Sequence, residues 1–193
     1  MALITMCQCR ALLWQVTGLV ALLGLYGGDR AWVPAVAAET ATVMSQDVGV
    51  TPRATTFVLK DQYDKQWDYR FPRETISVLF VADYTGSEQV ENWVRPLYDR
   101  YEKTIGIYGV ADLSAVPGFM RGMVARFFRT KLQYPVMFDW QGTVSRSYAA
   151  QGGQANLYLI DTEGRIVLRL VGAVSPERLE RVMTQIDRLR RSD

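Results

Sequence analysis

Polar side chains that could do chemistry are concentrated in FVADYTGSEQ, residues 80–89, which follows a strongly apolar run and precedes an amphipathic pattern. If a helix begins here, its free backbone N–H groups and partial positive charge could hold an anion or a peptide carboxylate. In the alternative, which we favour, Thr85 or Ser87 caps the helix and Glu88 complements its dipole. The binding candidates in this segment are Asp83, Thr85, Gly86, Ser87 and Glu88.

Three aspartates form a second candidate constellation. Asp83, Asp112 and Asp139 each follow a predicted strand, and the carboxyl ends of parallel strands lie at one edge of a sheet. Gathered there, the carboxylates could bind calcium or magnesium, or act as an acid–base pair. Because no dense run of ligands accompanies them, we expect them to cap helices or turns, and we expect neither a metal nor another cofactor.

Cysteine and histidine usage excludes several kinds of chemistry. The chain has no histidine, and its two cysteines, Cys7 and Cys9, precede the apolar run ALLWQVTGLVALLGLYGG. With the A-x-A pattern of residues 35–37 after that run, residues 1–38 are predicted to be a signal peptide, and an uncleaved N-terminal anchor is the alternative. The mature chain would then lack both residue types, which excludes thiol nucleophiles, disulfides and triads that rely on imidazole.

The elements that would position these residues can be predicted from apolar periodicity. Residues 39–54 show no sustained period and are predicted to be a flexible lead-in, so the folded domain is expected over residues 55–193. TTFVLK and QWDYR predict a hairpin at the edge of a sheet, whereas TISVLFVA and TIGIYGVADL predict buried parallel strands. Between these strands the pattern predicts a helix over residues 88–103, kinked at Pro96.

The second half of the chain predicts a basic amphipathic helix with Phe119, Met123 and Phe127 buried against the sheet, and with Val124 and Phe128 as further candidates for burial. Its cations could meet an anionic lipid surface or an acidic partner, although an ordinary solvated face is the favoured interpretation. YPVMF predicts a strand, DWQGTVSRSYAA a turn with a short helix, and ANLYLI with RIVLRLVG an antiparallel hairpin. A final helix capped by Ser175 completes an α/β sandwich, with a mixed central β-sheet and helices on both faces. The cations are Arg121, Arg126, Arg129 and Lys131.

Four motifs in this order resemble the thioredoxin-like superfamily, nearest its peroxiredoxin and TlpA-type branch. They are FVLKDQYDKQW for the opening hairpin, VLFVADYTGSE for the strand leading into the active site, YPVMFDWQGTVSRSYA, and ANLYLIDTEGRIVLRLVG for the following hairpin. Within the superfamily, GVADLSAVPGFMRGMV and the ending GAVSPERLERVMTQI look most like the small exported bacterial YtfJ family. The resemblance implies a thioredoxin-like three-layer sandwich.

The resemblance also implies which residues occupy the redox positions. Thr85 falls at the first cysteine of the family's C-x-x-C motif, Glu88 falls at the second, and Ala155 falls at its cis-proline. A threonine cannot exchange disulfides. A cis bond before a residue other than proline costs about 3 kcal/mol, so a trans bond is expected there. The resemblance therefore implies the scaffold without thiol redox activity.

Together these patterns predict an exported, periplasmic or otherwise extracytoplasmic protein that binds or assists another component of the cell envelope. The expected partner is another envelope protein or a small ligand. The net charge of +2 gives no reason to expect nucleic acid, and a membrane is expected only through an uncleaved N-terminal segment. Enzymatic activity is not the favoured interpretation. Two alternatives stay open, namely an enzyme that uses carboxylates and hydroxyls at the degenerate active-site edge, and a redox partner completed in trans.

Overall fold

A computed structural model of the chain describes residues 52–191. The predicted signal peptide, most of the predicted lead-in and both cysteines lie outside the described residues. Within the described range, no helix is both long enough and apolar enough to cross a bilayer. The strands are β1 (Phe57–Lys60), β2 (Gln66–Tyr69), β3 (Ser77–Ala82), β4 (Gly106–Asp112), β5 (Met137–Asp139), β6 (Asn156–Ile160) and β7 (Ile166–Val171). The helices are α1 (Tyr84–Tyr101), α2 (Arg121–Lys131), α3 (Thr143–Ser147) and α4 (Pro176–Leu189), with 3₁₀ turns at Glu102–Thr104 and Gly118–Met120.

The strands form one two-stranded and one five-stranded sheet. β1 and β2 pair antiparallel as predicted, but they make a sheet of their own and not an edge of the main one. The main sheet has the order β5-β4-β3-β6-β7, in which β3, β4 and β5 are parallel and β6 is antiparallel to both of its neighbours. Because Ala82 pairs with Ala111 and Asp112 pairs with Asp139, the carboxyl ends of the parallel strands share one edge.

Burial on both faces explains the continuous apolar sequence of β3, all six residues of which are buried. On one face, α1 and α4 cover the sheet with side chains that include Trp93 and Val182. On the other face, α3 and the β1–β2 hairpin cover it with side chains that include Val144 and Phe57. The predicted α/β sandwich, with a mixed sheet and helices on both faces, is confirmed.

The ends of the described chain are fixed by local hydrogen bonds. α4 begins as predicted, because the Ser175 hydroxyl accepts a hydrogen bond from the Arg178 N–H at 3.3 Å. At the other end, the Ala54 N–H donates to the Gly164 carbonyl oxygen at 2.8 Å, and the Pro52 carbonyl oxygen accepts from the β7 backbone at 2.8 Å. Residues 52–54, the end of the predicted lead-in, are therefore joined to the β6–β7 hairpin.

α1 begins earlier than predicted, at Tyr84. Its N-cap is Asp83, whose side chain accepts a hydrogen bond from the Gly86 N–H at 2.8 Å. Thr85 and Ser87, expected as caps, lie instead within the first helical turn. Asp83 was expected to cap a helix or a turn, but the start of this helix was placed too late, because an aspartate directly after a buried strand can cap a helix without an intervening loop.

α2 packs with Val124 and Phe128, the further candidates of the prediction, and not with the stripe expected first, and none of its residues is fully buried. Val124 and Phe128 are half-buried, and the Phe128 ring lies edge-on to Phe138 of β5, with 5.0 Å between ring centroids. α2 therefore lies along the β5 edge of the sheet and turns its other apolar stripe outward. The side chains predicted to be buried and found exposed are Phe119, Met123 and Phe127.

Candidate functional site

Asp83 joins the start of α1 to the loop that precedes β6. Its Oδ1 accepts the hydrogen bond from the Gly86 N–H, and its Oδ2 accepts one from the Gly153 N–H at 2.7 Å. One carboxylate thus caps the helix and fixes the loop. We call the first turn of α1, residues 84–88, together with the loop of residues 151–155, the degenerate edge.

Gly86 is buried directly against this loop. A Cβ at Gly86 would lie 2.3 Å from the Gln154 carbonyl oxygen, so only glycine permits the approach. Further along α1, the Gln89 side-chain oxygen accepts a hydrogen bond from the Ala155 N–H at 3.2 Å. The peptide bond before Ala155 is trans, as expected for a residue other than proline. The structure therefore brings Asp83, Gly86 and Ala155 together.

Asn156, which the sequence analysis did not single out, holds the loop from the other side. Its side chain is fully buried, and its Nδ2 donates to the carbonyl oxygens of Val81, Gln151 and Gln154 at 3.2, 2.9 and 3.0 Å. Its Oδ1 accepts from the Gln151 N–H at 2.8 Å. The signal that could have identified it is a single amide at the start of the otherwise apolar strand ANLYLI.

The space enclosed by the degenerate edge is small. A cavity of about 20 Å³ is lined by residues that include Asp83, Asp112, Ser145 and Asn156. Burial alone would raise the pKa of Asp112, but hydrogen bonds from the Ser114 hydroxyl and N–H outweigh it and lower that pKa. A cavity of this size holds about one water molecule. It is too small to enclose a small-molecule substrate.

Asp139 lies beside Asp112 in the sheet, but its carboxylate is engaged with the start of α3. Its buried carboxylate accepts hydrogen bonds from the N–H groups of Thr143 and Ser145, each at 2.9 Å, and so fixes the start of α3. Asp83 and Asp112 line the same cavity, but residues 52–191 contain no group of three or more acidic, histidine or cysteine side chains arranged to hold a metal ion. The carboxylates of Asp83 and Asp139 thus serve the backbone around them.

The remaining candidates lie on the solvent side of the helix start. Thr85, Ser87 and Glu88 are exposed, as is Tyr84 beside them. The Ser87 hydroxyl donates to the Tyr84 carbonyl oxygen at 2.6 Å. These residues form a polar rim above the loop, and their side chains do not converge with Asp83 on a common cavity.

A wider groove of about 640 Å³ lies between the β1–β2 hairpin and α2. Several of its charged groups already have partners. The Arg129 guanidinium pairs with Asp64 at 3.4 Å, and the Asp61 carboxylate accepts from the Trp67 indole N–H at 2.9 Å. Arg129, Asp64 and Asp61 are therefore already engaged within the protein.

Comparison with solved structures identifies the fold. A candidate thiol:disulfide interchange protein DsbE from Chlorobium tepidum is 23% identical, with a TM-score of 0.54, and the match covers 70% of this chain and 94% of that one. The exposed lipoprotein thioredoxin Etrx1 of Streptococcus pneumoniae strain TIGR4 is 15% identical, with a TM-score of 0.55, over 70% of this chain and all (100%) of that one. StoA from Bacillus subtilis is 13% identical, with a TM-score of 0.53, over 67% and 97%. No family model and no curated protein matches the sequence.

The chain therefore has a thioredoxin-like fold. At these identities the likeness concerns the fold alone, and residues 52–191 of this chain contain no cysteine. The positions that the sequence resemblance assigned to a thiol pair, Thr85 and Glu88, lie in the first turn of α1, directly after β3.

Proposed function

We propose that the protein is an exported thioredoxin-fold binding or accessory module of the cell envelope that has no thiol redox activity. The observation that carries this proposal is the composition of the helix start. Thr85 and Glu88 stand there in place of thiols, and neither a hydroxyl nor a carboxylate can form the mixed disulfide through which thiol exchange proceeds.

The loop facing the helix start supports the same proposal. The N–H groups of Gly153 and Ala155 already donate to the side chains of Asp83 and Gln89. A substrate peptide that approached this loop would have to displace both acceptors, at a cost of about 1 kcal/mol for each hydrogen bond lost. The geometry thus favours a rigid structural edge over a turnover site.

Export and family membership also belong to this proposal. The apolar run and the A-x-A pattern of residues 35–37 support an extracytoplasmic location. One solved structure of the same fold is described as an exposed lipoprotein thioredoxin. The run GVADLSAVPGFMRGMV supports a position near the YtfJ family. N-terminal sequencing of the protein recovered outside the cytoplasm should give a start close to residue 39, and recovery of the uncleaved chain would favour the anchor.

An insulin-reduction assay tests the absence of redox activity. With dithiothreitol as the electron donor, the full chain should reduce insulin no faster than dithiothreitol alone. The double variant Cys7→Ser, Cys9→Ser should behave identically, because the cysteines precede the folded domain. Reduction above background would overturn the proposal, and its loss in the double variant would assign the activity to the N-terminal thiols.

A gain-of-function variant distinguishes two explanations for a lack of redox activity, namely missing thiols and a distorted scaffold. In the Cys7→Ser, Cys9→Ser background, adding Thr85→Cys and Glu88→Cys should produce measurable insulin reduction, because a helix N-terminus lowers a thiol pKa. The matched control is Arg95→Cys with Tyr98→Cys, which has the same spacing on the exposed side of α1 away from its N-terminus. Equal activity of the two cysteine pairs would show that the N-terminus of α1 does not activate thiols more than the rest of the helix does.

A further inference from the structure

The stripe Phe119, Met123 and Phe127 is the most exposed apolar feature of the helical layer. These side chains are 89%, 61% and 52% exposed; Met123 and Phe127 share one face of α2, and Phe119 lies on the 3₁₀ turn that leads into it. Single exposed apolar residues are ordinary on a protein surface, whereas a group of large neighbouring ones is typical of an interaction surface. We call this stripe and the cations beside it the α2 ridge.

The sequence of the α2 ridge carries charge of one sign, although Asp64 between β1 and β2 pairs with its Arg129 at 3.4 Å. Between Asp112 and Asp139 the sequence contains four cations and no acidic residue. Within the described part of the chain, neither Arg126 nor Lys131 has a carboxylate within 4.0 Å. Arg126 follows Met123 by three residues and Lys131 follows Phe127 by four, so each cation neighbours an exposed apolar side chain. The four cations are Arg121, Arg126, Arg129 and Lys131.

We propose that the α2 ridge docks on an anionic lipid surface, with Phe119, Met123 and Phe127 entering the interface and Arg126 and Lys131 lying at the headgroup phosphates. A helix that lies in the membrane plane has this combination of large apolar side chains on one face and basic side chains beside it. The attraction of anionic lipid to each cation near the surface adds to the apolar term.

The shape of the α2 ridge favours a fluid surface over a protein partner. Phe119 lies on the 3₁₀ turn that precedes α2 and is almost fully exposed, so it projects from the domain. A protein partner would need a groove complementary to this projection, since interface cores pack as densely as protein interiors. A lipid interface rearranges around a projecting ring and needs no preformed groove. The proposal is independent of whether Thr85 and Glu88 have lost a redox role.

Hydrogen–deuterium exchange of the full chain tests the proposal, because it follows each segment separately from the N-terminal apolar run. Vesicles containing phosphatidylglycerol should slow exchange in residues 118–131, whereas pure phosphatidylcholine vesicles should not. The lipid concentration that gives half of the slowing is the quantity to compare among variants. Added salt should raise this concentration, since exposed charges are screened.

Two variants and two matched controls locate the effect. Phe119→Ser should raise the half-maximal lipid concentration about tenfold, and Arg126→Gln should raise it about fivefold. The controls Tyr98→Ser and Arg95→Gln remove an exposed ring and an exposed cation from α1 and should leave it unchanged. Circular dichroism of each variant should match the parent, because all four side chains are exposed.

Several outcomes would overturn the proposal. One is unchanged exchange of residues 118–131 with phosphatidylglycerol vesicles, and another is equal slowing with phosphatidylcholine. Slowing that appears without lipid as the protein concentration rises would identify a second copy as the occupant. Slowing caused by a lipid-free envelope extract and by no vesicle would identify an acidic protein partner instead.

Discussion

Replacing Asn156 with aspartate would test whether its amide holds the degenerate edge together. The substitution preserves shape and keeps an oxygen able to accept from the Gln151 N–H. It also replaces the Nδ2 donor, which now faces the carbonyl oxygens of Val81, Gln151 and Gln154 at 2.9–3.2 Å, with an oxygen. Three hydrogen bonds would become three repulsive contacts in a fully buried position.

The expected loss of stability follows from these contacts. Asn156→Ala removes the hydrogen bonds without adding charge, and at about 1 kcal/mol for each bond it should cost about 3–4 kcal/mol. Asn156→Asp should cost more at neutral pH, about 4–6 kcal/mol, because a buried charge without a partner is added. Urea unfolding of both variants and of the parent measures these differences. The matched control is Asn92→Asp, which adds the same charge at an exposed position of α1 and should cost much less.

The pH dependence of Asn156→Asp supplies the decisive comparison. Facing carbonyl oxygens, the new carboxyl has a pKa raised in the folded state above its unfolded value of about 3.9. The loss of unfolding free energy is therefore smallest at a pH below the pKa of the unfolded state, and it grows as the pH rises through the pKa of the folded state. Lowering the pH should bring the aspartate variant closer to the alanine variant. The reasoning is refuted if the aspartate variant is as stable as the parent at neutral pH, or if its difference from the alanine variant does not change with pH.

Two further predictions concern the same edge. Gly86→Ala should destabilise the fold by about 1–3 kcal/mol in urea unfolding, because its Cβ would meet the Gln154 carbonyl oxygen. The control is Gly122→Ala on α2, where an added Cβ would have no neighbouring atom within 4 Å and should stabilise the fold by about 0.5–1 kcal/mol. If both substitutions change the free energy of unfolding equally, the close approach at Gly86 is contradicted. The lowered pKa of Asp112 means that its stabilising effect is present above the unfolded value of about 3.9 and is lost as pH falls through the folded value. Thermal unfolding of Asp112→Asn should therefore show a smaller decrease of Tm between neutral and acid pH than the parent. If Tm decreases with pH equally in both proteins, Ser114 does not stabilise the Asp112 carboxylate.

The elements could be predicted from the sequence because their signals are local. β3 is a continuous apolar run because both of its faces are buried, and α4 shows its cap at Ser175 and a buried stripe that includes Val182 and Ile186. The order of these elements then limits the topology to a mixed sheet with crossover helices. Asp83 and Asp112 could be placed at one edge for the same reason, since both follow parallel strands.

The contacts that close the degenerate edge could not be predicted from local pattern. Gln89 meets Ala155, and Asp83 meets Gly153, across more than sixty intervening positions. These pairs become neighbours only when β6 inserts beside β3, and nothing in the residues around either partner specifies that pairing. The sequence could therefore nominate Asp83 and Ala155 separately, but not the hydrogen bonds that join their surroundings.

The prediction for α2 favoured the stripe that the structure leaves exposed, because its sequence contains two apolar stripes. One stripe runs through Met123 and Phe127, and the other through Val124 and Phe128. Periodicity alone cannot rank them, because both have helical spacing. Contact with Phe138 on the short edge strand β5 selects the second stripe. The first stripe therefore faces solvent beside the cations. The packing of the domain does not explain why this apolar area is exposed.

The degenerate edge and the α2 ridge differ in the free energy that binding a partner would release. At the degenerate edge the nearby backbone donors already have acceptors, so an incoming ligand would exchange one set of hydrogen bonds for another with little net gain. On the α2 ridge, Phe119 and Met123 are in contact with water, and burying apolar area of that kind contributes about 25 cal/mol for each Å². Arg126 and Lys131 would also gain an anionic partner there without losing an existing one. A thioredoxin-like domain with this distribution would bind through α2, and its degenerate edge would have a structural role.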